Sequence, residues 1–310
     1  MEVAHQPNIS ILIITYNRPV DTLELLKSLK EQDHVSLTVG EILILNNAST
    51  VPYDNVLDFI QLNPSLPVQF IDLNENLGVA KGRNYLIERS RYPVLMVLDD
   101  DVVFQNKDAF TIASKIFDEP YYVENNTAVI TMNIFYYQTG ERQPSALPHK
   151  EYKKNKDKAR FLTYYFTGAA HLMKKELFDK TGLYPPDFFY GMEEYDLSYR
   201  IIAAGYTLAY DSRIKVLHKE SPLGRVPPKE KLQMMWYNKC VVAYRYLPQK
   251  YFYTTAMLWA GEYLAKTKGD INGVVKMMSR IRKIPKFITR NQLDKKALNY
   301  LQKVRARLHY

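Results

Sequence analysis

The chain has 310 residues, 46% hydrophobic and 24% charged, with a formal net charge of +9. This is ordinary for a soluble globular protein and leaves room for one large α/β domain with an appendage. Its one cysteine, Cys240, excludes a disulfide framework within the chain and points to a reducing, cytoplasmic setting. Met1 to Asn8 has no basic segment followed by an apolar stretch, so no signal peptide is read there. No segment reaches the roughly 20 apolar residues of a membrane span. The longest candidate, Tyr251 to Ala265, carries Glu262 and is rich in tyrosine.

Ile9 to Ile14 reads as a strand, and Asp21 to Lys30 as a helix with Leu23, Leu26 and Leu29 at helical spacing. Glu41 to Leu45 reads as a second strand, Tyr53 to Leu62 as a helix, Val68 to Leu73 as a third strand and Val79 to Glu88 as a helix. Val94 to Leu98 is a short apolar run and reads as a buried parallel strand. This βαβαβαβ order predicts a mostly parallel sheet with helices on both faces. The turn after the first strand, Thr15-Tyr16-Asn17-Arg18-Pro19, has no glycine. That argues against a Rossmann dehydrogenase, a P-loop enzyme or a sugar nucleotidyltransferase, whose phosphates need a glycine-rich turn there.

Asp99, Asp100 and Asp101 follow directly on the fourth strand. In open α/β sheets ligands bind outside the carboxyl ends of strands. Three adjacent acids repel one another unless a positive charge sits among them. A hard divalent cation with oxygen ligands suits them, and Mg or Mn usually accompanies a substrate diphosphate. The plain alternative is a solvated acidic turn.

Further blocks follow in series. They are the opening strand Ile9 to Arg18, the segment Asn74-Glu75-Asn76-Leu77-Gly78-Val79-Ala80-Lys81-Gly82-Arg83-Asn84, and the aspartate run. Then come Thr167-Gly168-Ala169-Ala170 with Phe178 and Gly182-Leu183-Tyr184, and Phe188 to Arg200 with its Glu193-Glu194-Tyr195-Asp196-Leu197 centre. His218 follows. In order and spacing these resemble family 2 glycosyltransferases with the GT-A fold, over about residues 8 to 220.

The resemblance implies an inverting, metal-dependent transfer of a sugar from a nucleotide-diphosphate donor, UDP first and dTDP second. The acceptor it implies is a hydroxyl of a bacterial cell-surface glycan or its lipid-linked precursor. It gives Asp101 to the metal (Mn or Mg), Asp99 to the ribose and sugar side, and Asp100 to the nucleotide. His218 is a further metal ligand, or a packed histidine after Val216-Leu217. Arg83 would fork onto phosphate oxygens. Glu194 stands where the family usually has an aspartate as general base. Glu193 and Asp196 would position it or bind acceptor, while Asp196 and Arg200 are also spaced for an i,i+4 ion pair. Thr15, Tyr16 and Asn17 would contact base or ribose. Asn46-Asn47 replaces the family's usual Asp-Asp or Asp-Asn, leaving an amide where a carboxylate would accept the base imide proton. That departure leans toward the alternative function, a catalytically silent nucleotide-sugar-binding subunit of a glycan-synthesis complex.

The charge is uneven. Residues 226–310 hold 18 of the 42 Lys+Arg but 4 of the 33 Asp+Glu. Prolines and glycine at Ser221 to Pro228 predict a boundary between a GT-A domain, 1–225, and a basic, mainly helical region, 226–310. Lys229 to Tyr246 holds Leu232, Met235, Trp236, Val242 and Tyr246 and reads as an amphipathic helix. Gly273 to Arg290 contains Lys276, Arg280, Arg282, Lys283, Lys286 and Arg290. Such helices suit the anionic inner face of a membrane or an anionic, lipid-diphosphate acceptor. The alternative is a helical cap with a basic, solvated face. No nucleic-acid-binding motif accompanies the charge, so no nucleic-acid partner is expected. Trp236, Tyr237 and Asn238 are candidates for acceptor lining or for core.

Overall fold

The computed structural model describes residues 6–221 and 228–308. Most of the expected boundary at 221–228 and of the stretch 1–8 lies outside the described residues. Among the described residues, nine strands form one sheet. They are β1 (Ile9–Thr15), β2 (Val39–Asn46), β3 (Val68–Asp72), β4 (Val94–Asp99), β5 (Val102–Phe104), β6 (Thr127–Tyr136), β7 (Arg160–Thr163), β8 (Ala170–Lys174) and β9 (Thr207–His218). Their order is β3-β2-β1-β4-β8-β6-β9-β5, with β7 pairing on β9.

The first half, β3-β2-β1-β4, is parallel as the alternating pattern predicts. Beyond β4 the sheet is mixed. β8 runs antiparallel to β4 and β6, β9 runs parallel to β6, and β5 and β7 run antiparallel to β9. Antiparallel neighbours need no helical crossover, so strict alternation of strand and helix ends there.

The central strands are apolar throughout because both faces are covered. Ile9, Ile11 and Ile13 pack with Leu25, Leu26 and Leu29 of α1 (Pro19–Lys30) and Val56 of α2 (Asp54–Leu62). Leu12, Leu43 and Val97 face the other way, onto Ala80, Leu86 and Ile87 of α3 (Gly78–Arg89). Register then sets the site. Ile14 pairs with Asp99, Thr15 with Asn46, and Asn46 with Asp72, so the carboxyl ends of four strands align along one edge. His218 at the end of β9 pairs with Val102, which brings it beside the acidic turn.

Apart from several short helical turns in the connections, the further helices used below are α4 (Glu193–Ala203), α5 (Pro228–Tyr246), α6 (Gln249–Lys266), α7 (Ile271–Ile281), α8 (Ile284–Phe287) and α9 (Lys295–Lys303). α5 forms over the stretch read as an amphipathic helix, and its covered side is wide. Trp236, Cys240, Val241, Val242 and Ala243 are all buried, because neighbouring helices cover it on several sides. Trp236 therefore belongs to the core rather than to an acceptor site. Asn238 holds the chain before α4, donating to the carbonyls of Tyr190 and Gly191 at 3.1 and 2.9 Å. No described helix is long and apolar enough to cross a membrane.

One buried carboxylate fastens α5 to α4. Asp196 Oδ1 accepts from Arg200 Nε at 2.9 Å, and its Oδ2 accepts from Arg245 Nη1 at 2.8 Å and Tyr246 Oη at 3.0 Å. Its oxygens are thus committed to structure, and the i,i+4 pair with Arg200 forms. Removing one member of a buried ionic network leaves charge uncompensated. Asp196→Asn is therefore expected to destabilise the protein by about 3 kcal/mol, read as a lowered urea midpoint; an unchanged midpoint would deny the clamp this role.

Candidate active site

The aligned strand ends open into a cleft lined by Tyr16, Arg18, Asn47, Asn76, Gly78, Arg83, the three aspartates, Phe189, Tyr190, His218 and Lys231 among others. Two arginines organise its acids.

Arg18 follows β1. Its Nη1 lies 2.8 Å from Asp100 Oδ1 and 3.4 Å from Asp101 Oδ2, and its Nη2 donates to the Ser221 carbonyl at 3.3 Å. The Ser221 amide also donates to Asp101 Oδ2 at 2.8 Å. Burial pushes the Asp100 carboxyl up to about 7, against the pull of Arg18. Burial also works against the Asp101 charge, but His218, Arg18 and the Ser221 amide outweigh it and hold Asp101 below the usual carboxylate range.

Asp101 keeps its other oxygen for a different partner. Oδ1 is a buried acceptor without a well-formed hydrogen bond, and it faces His218 Nε2 at 3.3 Å. His218 Nδ1 lies 3.1 Å from Gln143 Oε1, and the Gln143 amide nitrogen is engaged by Ser145 and Glu220. Nδ1–H therefore donates to Gln143, and Nε2 is left to the cleft. Asp99, Asp101 and His218 each present one ligand atom, all within 4.8 Å of one another. Two carboxylate oxygens and an imidazole nitrogen with its outer nitrogen anchored make a donor set that fits a divalent cation. Asp99, expected on the ribose and sugar side, is here a member of that group, while Asp100 turns to Arg18.

Arg83, from α3, is buried. Its Nη1 is 2.8 Å from Glu194 Oε1 and 3.8 Å from Glu193 Oε1; its Nη2 is 3.4 Å from Asp99 Oδ1 and 3.1 Å from the Gly168 carbonyl. Burial opposes its charge, yet Tyr184 and the carboxylates around it raise its pKa above the ordinary value. The sequence expectation put this guanidinium on phosphate; in the structure its donors face carboxylates and a carbonyl. Glu194 and Glu193 open α4 after Met192, which sits at φ 74°. Burial and then the neighbouring Glu194 charge raise the Glu193 pKa above the ordinary carboxylate range.

The expected nucleotide residues divide. Tyr16 and Asn47 line the cleft. Thr15 Oγ1 is spent on Thr22 and Tyr53, and Asn17 Oδ1 accepts from the Thr50 amide at 2.7 Å. Asn46 donates to Asp72 at 2.7 Å and accepts from the Ser49 amide. Asn47 donates to Asn76 and accepts from the Leu77 amide, both at 2.9 Å. These amides bind strand ends to each other. Among the cleft residues that escaped sequence reasoning as site candidates are two cations, Arg18 and Lys231. Arg18 stood in the first motif, but its partners lie 82 and 83 positions on. Lys231 comes from α5, over the Tyr190 ring at 5.2 Å, and no local pattern announces it.

The model of the family described as "Glycosyl transferase family 2" matches residues 10–182, more than half of the chain. The chain belongs to that family. It is a glycosyltransferase. An uncharacterised protein of Haemophilus influenzae is 32% identical over 180 residues, covering 57% of this chain and 92% of that one. Among solved structures, S. aureus TarS 1-349 in complex with UDP-GlcNAc matches with a TM-score of 0.63 at 14% identity, over 89% of this chain and 81% of that one. GalNAc-T7 with UDP, GalNAc and Mn2+ matches with a TM-score of 0.62 at 18% identity; it covers 93% of this chain, which spans 57% of that one. The likeness shows the GT-A fold.

The Thr167-Gly168-Ala169-Ala170 block of this family 2 chain has a steric reason. A Cβ at Gly168 would fall on Glu194 Oε1 and lie 3.0 Å from Arg83 Nη2. Gly168→Ala is expected to dislodge Glu194 from Arg83 and lower turnover about a hundredfold, the scale that a misplacement of about 1 Å in a cleft can reach. Turnover within a factor of two or so of wild type, measured as nucleotide release, would show that the Glu194 position does not matter.

Proposed function

We propose that this glycosyltransferase is inverting and metal-dependent, moving a sugar from a nucleoside diphosphate donor to a hydroxyl of a glycan or lipid-linked glycan. UDP is the first choice of nucleotide and dTDP the second. The reading rests on one meeting of groups: the Asp99, Asp101 and His218 set lies on one side of Arg83, and Glu194 lies on the other. The UDP-GlcNAc bound by TarS and the UDP and Mn2+ bound by GalNAc-T7 support the choice of donor and ion.

Asp99, Asp101 and His218 would hold Mn or Mg, with imidazole favouring Mn. When bound, the cation supplies Lewis-acid stabilisation of the departing diphosphate. Arg18 and Lys231 add positive charge along the same cleft. Glu194 accepts the proton of the acceptor hydroxyl as that oxygen attacks the anomeric carbon. Arg83 orients Glu194 toward this task and fixes its distance from the acidic turn. A single displacement from the face opposite the diphosphate inverts the anomeric carbon without a covalent intermediate.

Calorimetric titration with UDP, dTDP, GDP and CDP, each with and without Mn or Mg, tests the reading. Metal-dependent binding of UDP or dTDP is expected, and Asp101→Ala should remove the metal dependence. Absence of metal-dependent binding for all four nucleotides would refute the proposal. Glu194→Gln is expected to bind UDP as wild type does while donor turnover falls about 10²- to 10⁴-fold, the usual weight of a general base. Loss of UDP binding in that variant would make Glu194 a ligand residue instead.

A further inference from the structure

We propose that the outer face of α7 and α8 docks on an anionic phospholipid bilayer and sets the donor cleft against it. The use of such docking, bringing the cleft to a lipid-borne acceptor, rests on the proposed function; the surface itself does not.

No acidic residue occurs between Asp270 and Asp294, while Lys276, Arg280, Arg282, Lys283, Lys286 and Arg290 fall within that stretch. Gly273, Met277, Ile281 and Ile284 face the core, so the other side of these helices is turned to solvent. The solvent-facing parts of these helices carry large apolar groups as well as charge: Ile271 is 67% exposed, Val275 64% and Phe287 77%. Ile271 and Val275 lie one turn apart on α7. Val274, Val275 and Met278 share one open groove with Arg282, Lys283 and Lys286.

The cations of this groove differ from their neighbours. Arg280 lies over the Tyr237 ring at 4.8 Å, and Arg290 donates to the Leu247 carbonyl at 2.9 Å. Arg282, Lys283 and Lys286 make no ion pair with any described residue. A solubilising face needs charge but no exposed Ile, Val and Phe. A polyanion such as nucleic acid would engage the cations and leave those side chains in water. A bilayer surface satisfies both, since the apolar groups enter the acyl boundary and the cations meet anionic headgroups.

The face is also tied to the cleft. Asp270 caps α7 by accepting from the Gly273 amide at 3.1 Å, and Lys229 pairs with Asp270 at 2.8 Å. Two residues on, Lys231 lines the donor cleft. A membrane held by α7 therefore lies beside the α5 turn that borders the site.

The test is co-sedimentation of the full chain with vesicles of phosphatidylcholine alone and of phosphatidylcholine mixed equally with phosphatidylglycerol. Binding to the anionic vesicles only is expected. The variant Arg282→Gln/Lys283→Gln/Lys286→Gln should bind them about a hundredfold more weakly, three surface charges having been removed. Val275→Asp/Phe287→Asp should also weaken binding by at least about tenfold. Both variants should titrate UDP as wild type does, which separates a lost surface from a lost fold. No binding to anionic vesicles, or binding that neither variant alters, would overturn the proposal. Loss in the charge variant alone would overturn it too, since a purely ionic contact needs no apolar insertion. Vesicle binding by a chain that binds no nucleotide would leave this surface standing and remove the proposed function.

Discussion

A buried guanidinium holds the two sides of the cleft at a fixed separation. A charge removed from water is costly unless opposite charge and hydrogen bonds compensate it, and losing one partner costs more than the pair contributes. Arg83 has Glu194, Asp99 and the Gly168 carbonyl around it, contributed by α4, the end of β4 and the loop before β8. The acidic turn and the carboxylate of α4 therefore cannot move independently. Gly168 is where the backbone must come closest, and Tyr184 closes the other side with its ring 5.5 Å from the guanidinium.

Arg18 performs a related task one strand away. Three adjacent carboxylates would repel one another, and Arg18 relieves that repulsion from beneath by pairing with Asp100 and one oxygen of Asp101. Asp101 is consequently divided. Its Oδ2 belongs to the framework through Arg18 and Ser221, and its Oδ1 points toward His218. A carboxylate pinned by one oxygen presents the other in a set direction, which is the preorganisation a ligand site requires.

The parallel half of the sheet was legible because strands buried on both faces must be apolar throughout, as Ile9 to Ile14 and Val94 to Leu98 are. The mixed half was not, since the antiparallel pairing of β8 with β4 and β6 is decided by partners far away in sequence. The acids were legible at the level of position and less so at the level of role. Asp196 and Arg200 announce an ion pair by spacing alone, but Arg245, which completes the clamp, is 49 residues distant. Lys229 to Tyr246 reads as an amphipathic helix from Leu232, Met235, Trp236, Val242 and Tyr246. Its run of Cys240, Val241, Val242 and Ala243 is continuous enough to have signalled a helix covered on several sides.

The amides at the strand ends bear on how the nucleotide is read. Asn46-Asn47 stands where the resemblance implies Asp-Asp or Asp-Asn, and taken alone that departure suggests a weakened base pocket. In the structure both amides use their oxygens on backbone N–H groups and their nitrogens on Asp72 and Asn76, so they build the wall. An aspartate at 46 would set a second carboxylate against Asp72, at the distance where asparagine now donates. Asparagine there follows from its neighbour. In the cleft the Tyr16 side chain makes no hydrogen bond to any described residue. The departure that most favoured a silent subunit is thus accounted for by a local acid, and Arg83, Glu194 and the aspartates keep an arrangement that a mere binding subunit would not need.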